Sequence, residues 1–126
     1  MNTRDILLVD DDADYLRLLS IFLEMEGFNV IMAQSGMKAL EMLNKQKVRL
    51  LFTDLQIPDM NGLDLAIKVR EHHADIIVFL MTSSSIPDII EAATFAGIST
   101  IFKKPLSLGE LVVTIKSSLH LNQAAL

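Results

Sequence analysis

The stretch Ile6-Leu7-Leu8-Val9-Asp10-Asp11-Asp12 decides the reading of this chain. Four apolar residues in succession suit a strand buried on both faces, as in a parallel sheet covered by helices. The run then stops at acids. The same layout recurs: Leu50-Leu51-Phe52 ends at Thr53-Asp54, Ile76 to Met81 ends at Thr82, and Ile101-Phe102 leads into Lys103-Lys104-Pro105. In a parallel α/β sheet the carboxyl ends of the strands line one edge, and ligands bind in the crevice there. Parallel strands would bring Asp10, Asp11, Asp54, Thr82 and Lys104 to one spot. Such a set can hold a divalent metal and receive a phosphoryl group.

Apolar runs alternate with helical patterns along the whole chain. The pattern predicts strands at 5–10, 28–33, 49–54, 76–82 and 100–103, with helices at 13–26, 35–45, 62–72, 86–96 and 107–121. Alternating βα units imply an α/β fold, a doubly wound parallel sheet with helices on both faces. Several helix starts carry a physical signature. Ser107 and Glu110 have capping-box spacing, and Ser85-Ile86-Pro87-Asp88 resembles one. Ser35 and Asn61 can cap through a side-chain oxygen. Gly27 and Gly97 fit helix ends that need positive φ. Leu108, Leu111, Val112, Ile115 and Leu119 share one face of the last helix.

The bulk numbers agree with one domain spanning residues 1–126. The longest apolar run, Ile76 to Met81, has six residues, far below the roughly 20 needed to cross a bilayer. The amino terminus is too short and too acidic for a signal peptide. There is no cysteine, hence no disulfide framework or thiolate metal site. A soluble cytoplasmic protein, without membrane association, is expected. The net charge of −5 argues against a nucleic-acid surface, since Lys103-Lys104 is the only adjacent basic pair.

Each candidate residue has a plain structural role beside a chemical one. The acids at 10–12 could simply cap a helix, whose positive amino end favours carboxylates. One Asp suffices for that, and Asp12 or Asp14 can serve. Three in a row repel one another, and a hard cation such as Mg²⁺ relieves the repulsion. Asp54 could be a loop acid, or a nucleophile toward phosphorus that forms an aspartyl phosphate. Thr82 could merely end a strand, and Lys104 could be a solvated lysine. Their common placement at strand ends favours the chemical reading. Charge supports it: Asp10, Asp11 and Asp54 carry −3, while Mg²⁺ and Lys104 supply +3. Phosphorylation replaces a carboxylate by a group of roughly −2, which a neutralised pocket accommodates.

With these motifs the chain resembles the receiver domain of bacterial two-component response regulators, the CheY-like family. The matching positions are Asp10-Asp11, Asp54 with Pro58 and Gly62, Thr82, and Lys104-Pro105. The resemblance implies a flavodoxin-like sheet of five parallel strands in order 2-1-3-4-5 with five helices. It implies that Asp54 is phosphorylated from a phosphohistidine on a sensor histidine kinase or histidine phosphotransfer protein. Asp11, Asp54 and the backbone carbonyl of Gln56 would ligate Mg²⁺, with Asp10 helping through water. Thr82 would move to bond a phosphoryl oxygen, and Lys104 would pair with another. The protein would not be a conventional enzyme, but would assist its own Mg²⁺-dependent phosphoryl transfer and autodephosphorylation. Its output would pass to an unidentified partner or an effector domain.

Some positions depart from the family pattern. Ile101 stands where an aromatic switch residue is usual, Ser83 where Ala or Gly is common, and Leu106 where Phe is frequent. Ile101 has no ring or hydroxyl, so switching is expected to work through Thr82 and the 83–87 loop. The surface expected to respond comprises helix 86–96, strand 100–103 and helix 107–121. Two other functions fit less well. A phosphoaspartyl hydrolase of the haloacid dehalogenase type would start Asp10-x-Asp12, but expects Gly-Thr soon after, where this chain has Ala13-Asp14. A degenerate receiver acting as a constitutive binding module is opposed by the intact acids, Thr82 and Lys104.

Overall fold

The computed structural model describes residues 3–124, with side chains as far as His120. Strands and helices alternate strictly: β1 (Thr3–Val9), α1 (Ala13–Met25), β2 (Val30–Ala33), α2 (Gly36–Lys45), β3 (Lys47–Asp54), α3 (Gly62–His72), β4 (Ile77–Thr82), α4 (Ile86–Phe95), β5 (Thr100–Lys103) and α5 (Leu108–Ala124). Every expected element is present, with ends shifted by three residues or fewer. The five strands form one parallel sheet in the order β2-β1-β3-β4-β5, the flavodoxin-like arrangement.

Side-chain alternation builds a core on each face of the sheet. Ile6, Leu8, Leu50, Phe52, Phe79 and Met81 meet Leu16, Leu19 and Leu23 of α1 and Leu111, Ile115 and Leu119 of α5. Phe52, Phe79 and Phe102 form an aromatic cluster here, with Phe52 edge-on to both of the others and centroids 5.4–6.1 Å apart. On the other face Leu7, Val9, Leu51 and Val78 meet Ala39 and Leu43 of α2 and Leu65, Ala66 and Val69 of α3. Strands buried on both faces explain the unbroken apolar runs. Among the described residues no helix is long and apolar enough to cross a membrane.

The caps follow the sequence with two corrections. Asp12 accepts from the N–H groups of Asp14 and Tyr15, Ser35 from Lys38, Asn61 from Leu63, and Ser107 from Glu110. Gly27 and Gly97 close α1 and α4 at φ +96° and +85°. Ser85, by contrast, makes no side-chain cap. The donors it would use are the N–H groups of the second and third helical residues, and Pro87 has none. The capping box at Ser107 is the other correction: its hydroxyl accepts the Glu110 N–H, but the described hydrogen bonds include none from the Ser107 N–H to the Glu110 side chain. Leu108 begins α5 and stays 39% exposed, whereas Leu111, Val112, Ile115 and Leu119 are buried.

The register aligns the strand ends. Val9 pairs with Thr53, Asp54 with Met81, and Thr82 with Lys103. The residues that follow or end β1, β3, β4 and β5 therefore share one edge.

Candidate functional site

Asp10, Asp11 and Asp54 each place a carboxylate oxygen within 4.8 Å of the others. Asp10 is buried, Asp54 half-buried and Asp11 exposed. The Asp10 N–H donates to the Ala33 carbonyl, which extends the β1–β2 pairing one residue past the strand and fixes the origin of the side chain. The Lys104 N–H likewise donates to the Thr82 carbonyl at 2.8 Å, prolonging β4–β5 pairing. From there the Lys104 ammonium reaches Asp10 Oδ2 and Asp54 Oδ2, 3.1 Å from each.

The remaining lone pairs are unequally available. Asp10 Oδ1 accepts the Asp12 N–H at 3.0 Å, so both oxygens of Asp10 are engaged. Asp54 Oδ1 receives only a long 3.5 Å contact from the Gln56 N–H. Asp11 and one oxygen of Asp54 are thus the freest carboxylate positions in the cluster. An all-oxygen donor set with open positions suits a hard divalent ion that keeps several waters. The residues present fit Mg²⁺.

Burial pushes the Asp54 carboxyl above its ordinary pKa, and the Lys104 ammonium opposes that shift. For Lys104 burial works downward, but the two carboxylates outweigh it and leave the pKa raised. The ammonium also lies over the ring of Tyr15, 5.0 Å from its centroid, a cation–π contact. Burial raises the Tyr15 pKa.

Thr82 ends β4 and is buried. Its Oγ1 accepts the Ser84 N–H at 2.9 Å, which leaves the hydroxyl hydrogen to donate elsewhere. The described hydrogen bonds do not join Thr82 to the acids. It stands beside them on the neighbouring strand, since Asp54 pairs with Met81.

The β3–α3 loop is held at several points. Gln56 bridges to Asn61, and the Gly62 N–H donates to the Leu55 carbonyl at 2.7 Å. A Cβ on Gly62 would come within 2.4 Å of the Asp54 carbonyl oxygen, so close backbone approach demands glycine there. Asp59 spans to α2, accepting the N–H groups of Gly36 and Met37 at 2.8 and 2.9 Å. Those two donors hold the Asp59 carboxyl below its ordinary pKa.

The sequence reading missed three contacts around this edge: Tyr15 under Lys104, Asp59 on the start of α2, and the Lys103 ammonium on the Ser84 carbonyl at 2.9 Å. Asp59 had a visible signal, an acid beside the rigid Pro58 and before Gly62. The other two had none. A cleft lined by Thr3, Lys47, Val48 and Ile76 lies at the opposite end of the sheet, at the amino ends of the strands, away from this cluster.

Comparison with known proteins agrees with the geometry. The family described as the response regulator receiver domain matches residues 6–116. The transcriptional regulatory protein GlrR of Escherichia coli is 36% identical over 116 residues, covering 91% of this chain and 26% of that protein. The transcriptional regulatory protein SrrA of Staphylococcus aureus is 31% identical over 122 residues, covering 97% of this chain and 50% of that one. The chain thus spans between a quarter and half of the length of these relatives. A CheY-like receiver domain structure from Methanospirillum hungatei superposes with a TM-score of 0.91 at 25% identity, covering 98% of both chains. A two-component response regulator from Clostridium difficile gives 0.87 at 27%, covering 95% of this chain and 97% of that one. With the strand order, the strand-end acids and the residue span all in agreement, the chain belongs to the response regulator receiver domain family.

Proposed function

We propose that this receiver domain is a phosphorylation-controlled switch that accepts a phosphoryl group on Asp54. The observation that carries the reading is the Lys104 ammonium, 3.1 Å from both Asp10 and Asp54, with Asp11 closing the cluster. An Asp54 oxygen attacks phosphorus of a phosphohistidine, the P–N bond breaks, and its electron pair leaves with the imidazole nitrogen. Lys104 stands ready to exchange a carboxylate oxygen for a phosphoryl oxygen. Thr82 has a hydroxyl hydrogen free to donate to another. Asp11 and the open oxygen of Asp54, with the Gln56 carbonyl, would hold Mg²⁺, and Asp10 would act through water. When bound, Mg²⁺ supplies charge neutralisation for the transferring group.

The donor would be a sensor histidine kinase or a histidine phosphotransfer protein. An open apolar groove supports docking of such a partner beside the pocket; it is lined by Tyr15, Leu18, Leu19, Pro105, Leu106 and Leu108, next to Lys104. Leu18 is 69% exposed there. The output would pass to a partner protein or an effector domain, as the names of the transcriptional relatives suggest. The test is direct. Incubation with acetyl phosphate should raise the intact mass by one phosphoryl group, EDTA should prevent it, and Asp54→Asn should stay unmodified. A fully phosphorylated Asp54→Asn protein, or indifference to EDTA, would remove Asp54 from this role.

A further inference from the structure

Lys103 and Lys104 are neighbours, but their side chains take different courses. Lys104 enters the acid cluster, whereas the Lys103 ammonium donates to the Ser84 carbonyl, 2.9 Å away. Ser84 returns its own N–H to Thr82 Oγ1 at 2.9 Å. Thr82 and Lys103 are register partners on β4 and β5. A closed circuit results: Thr82 to Ser84, Ser84 to Lys103, and Lys103 back to Thr82 through the sheet.

The loop between β4 and α4 has few other ties. Ser83 and Ser85 are exposed, and Ser85 makes no side-chain cap on α4. A backbone contact from the Asp88 N–H to the Ser85 carbonyl is long, at 3.3 Å. Ile101, on the same strand as Lys103, has no hydrogen-bonding side chain to offer the loop. The strap from Lys103 is therefore the one side-chain link between β5 and this loop among the described hydrogen bonds.

We propose that Lys103 is a positioning residue for the switch: its ammonium holds the Ser84 carbonyl, and with it Thr82, in the resting arrangement. The proposal rests on Asp54 being the phosphoacceptor. When the Thr82 hydroxyl turns to an oxyanion on Asp54, Oγ1 leaves the Ser84 N–H, and the Lys103 strap is the tie that resists the loop following. A single hydrogen bond from a solvent-exposed ammonium is a weak restraint, so it poises the loop without locking it. Removing the ammonium should ease binding of a phosphoryl mimic by about threefold to fivefold, the upper range expected for one solvent-exposed charged contact. Its loss also takes a positive charge from the neighbourhood of an anion site, and that alone would weaken anion binding. Strap and charge thus predict opposite signs.

The test compares wild type, Lys103→Met and Lys103→Arg. Each is titrated with beryllofluoride at saturating Mg²⁺, with backbone amide NMR as the readout. Lys103→Met should bind about threefold to fivefold more tightly, and Lys103→Arg, which can still donate to the Ser84 carbonyl, should stay within about twofold of wild type. Equal or weaker binding by Lys103→Met overturns the proposal. So does a Lys103→Arg protein that shifts as far as Lys103→Met. Failure of the wild type itself to bind beryllofluoride would instead remove the phosphoacceptor reading. The strap is then read in the free protein: Lys103→Met should move the Ser84 and Ser85 amides, and coincident spectra would refute it.

Discussion

Replacing Lys104 with Met should weaken the fold at neutral pH by about 2 kcal/mol, between the effects of losing a buried ion-pair partner and an exposed one. The ammonium lies 3.1 Å from a carboxylate oxygen of Asp10 and of Asp54. At an effective dielectric of 20 each contact would be worth about 5 kcal/mol before desolvation is counted. Most of that is offset, because all three groups leave water on folding. The side chain of Lys104 is 26% exposed, against 3% for Asp10 and 13% for Asp54. Removing one partner of a fully buried pair costs about 3–5 kcal/mol, and breaking an exposed pair costs about 0–1 kcal/mol. A site three-quarters buried on one side falls between. Methionine keeps an apolar stem near Tyr15, so the change isolates charge from packing.

The pH dependence has a definite sign. The Lys104 pKa is raised in the folded protein, so its contribution is complete below the unfolded lysine value and is lost only at alkaline pH. The Asp54 pKa is also raised; its ionisation opposes folding, and stability tied to it is lost as pH rises through the folded value. Without Lys104 the opposing downward influence on Asp54 disappears, and the folded pKa rises further. The deficit of the variant should therefore be largest at pH 7 and fade as the carboxylates protonate. Mg²⁺ should also narrow it, because the variant's acids have lost their internal cation and should bind the ion more tightly. Urea denaturation at pH 7 and at mildly acidic pH, with and without Mg²⁺, reads all of this. A deficit indifferent to both pH and Mg²⁺ would refute the assignment of the loss to the charge of Lys104 on the two carboxylates.

Two further substitutions probe the loop that carries Gln56. Gly62→Ala should destabilise by about 1–3 kcal/mol, an overpacking cost, because its Cβ would meet the Asp54 carbonyl at 2.4 Å; a neutral result in urea denaturation would mean the backbone relaxes freely there. Asp59→Ala should speed hydrogen exchange at the Gly36 and Met37 amides, which lose their acceptor. Because the folded Asp59 pKa is lowered, the wild-type protection should be present above the ordinary carboxylate range and fall away as pH drops through the folded value. Unchanged exchange in the variant would refute the tether.

The sheet and its helices were legible in the sequence because both have short-range causes. A strand covered on both faces must be apolar throughout, and Ile6–Val9, Leu50–Phe52 and Ile76–Met81 are. Helix starts announce themselves through side chains that satisfy their own first amides, as at Asp12, Ser35 and Asn61. The strand order was not legible from these patterns. Any order of five buried parallel strands has the same periodicity, and only the resemblance to a known family supplied 2-1-3-4-5. Ser85 misled for a local reason: hydroxyl and spacing suit a cap, but Pro87 removes one of the donors.

The convergence of Asp10, Asp54 and Lys104 was legible because it depends on backbone alone. Parallel pairing aligns the carboxyl ends of strands, so a residue just past a strand is placed before its side chain is considered. The contacts that were missed depend on the side-chain course of residues far apart in sequence. Lys103 and Lys104 have the same charge and adjacent positions, and period-2 alternation only says that they leave β5 on different sides. It does not say that one meets two carboxylates and the other a carbonyl. That difference divides the two lysines by chemistry. Lys104 faces two carboxylates, so under the proposed phosphorylation of Asp54 its partners would be exchanged. Lys103 faces a neutral backbone carbonyl, whose position changes only if the loop moves. One lysine therefore reports the charge in the pocket and the other the position of the loop. Because Thr82 is tied to the loop through Ser84, the proposed phosphorylation of Asp54 would reach α4 through that tie.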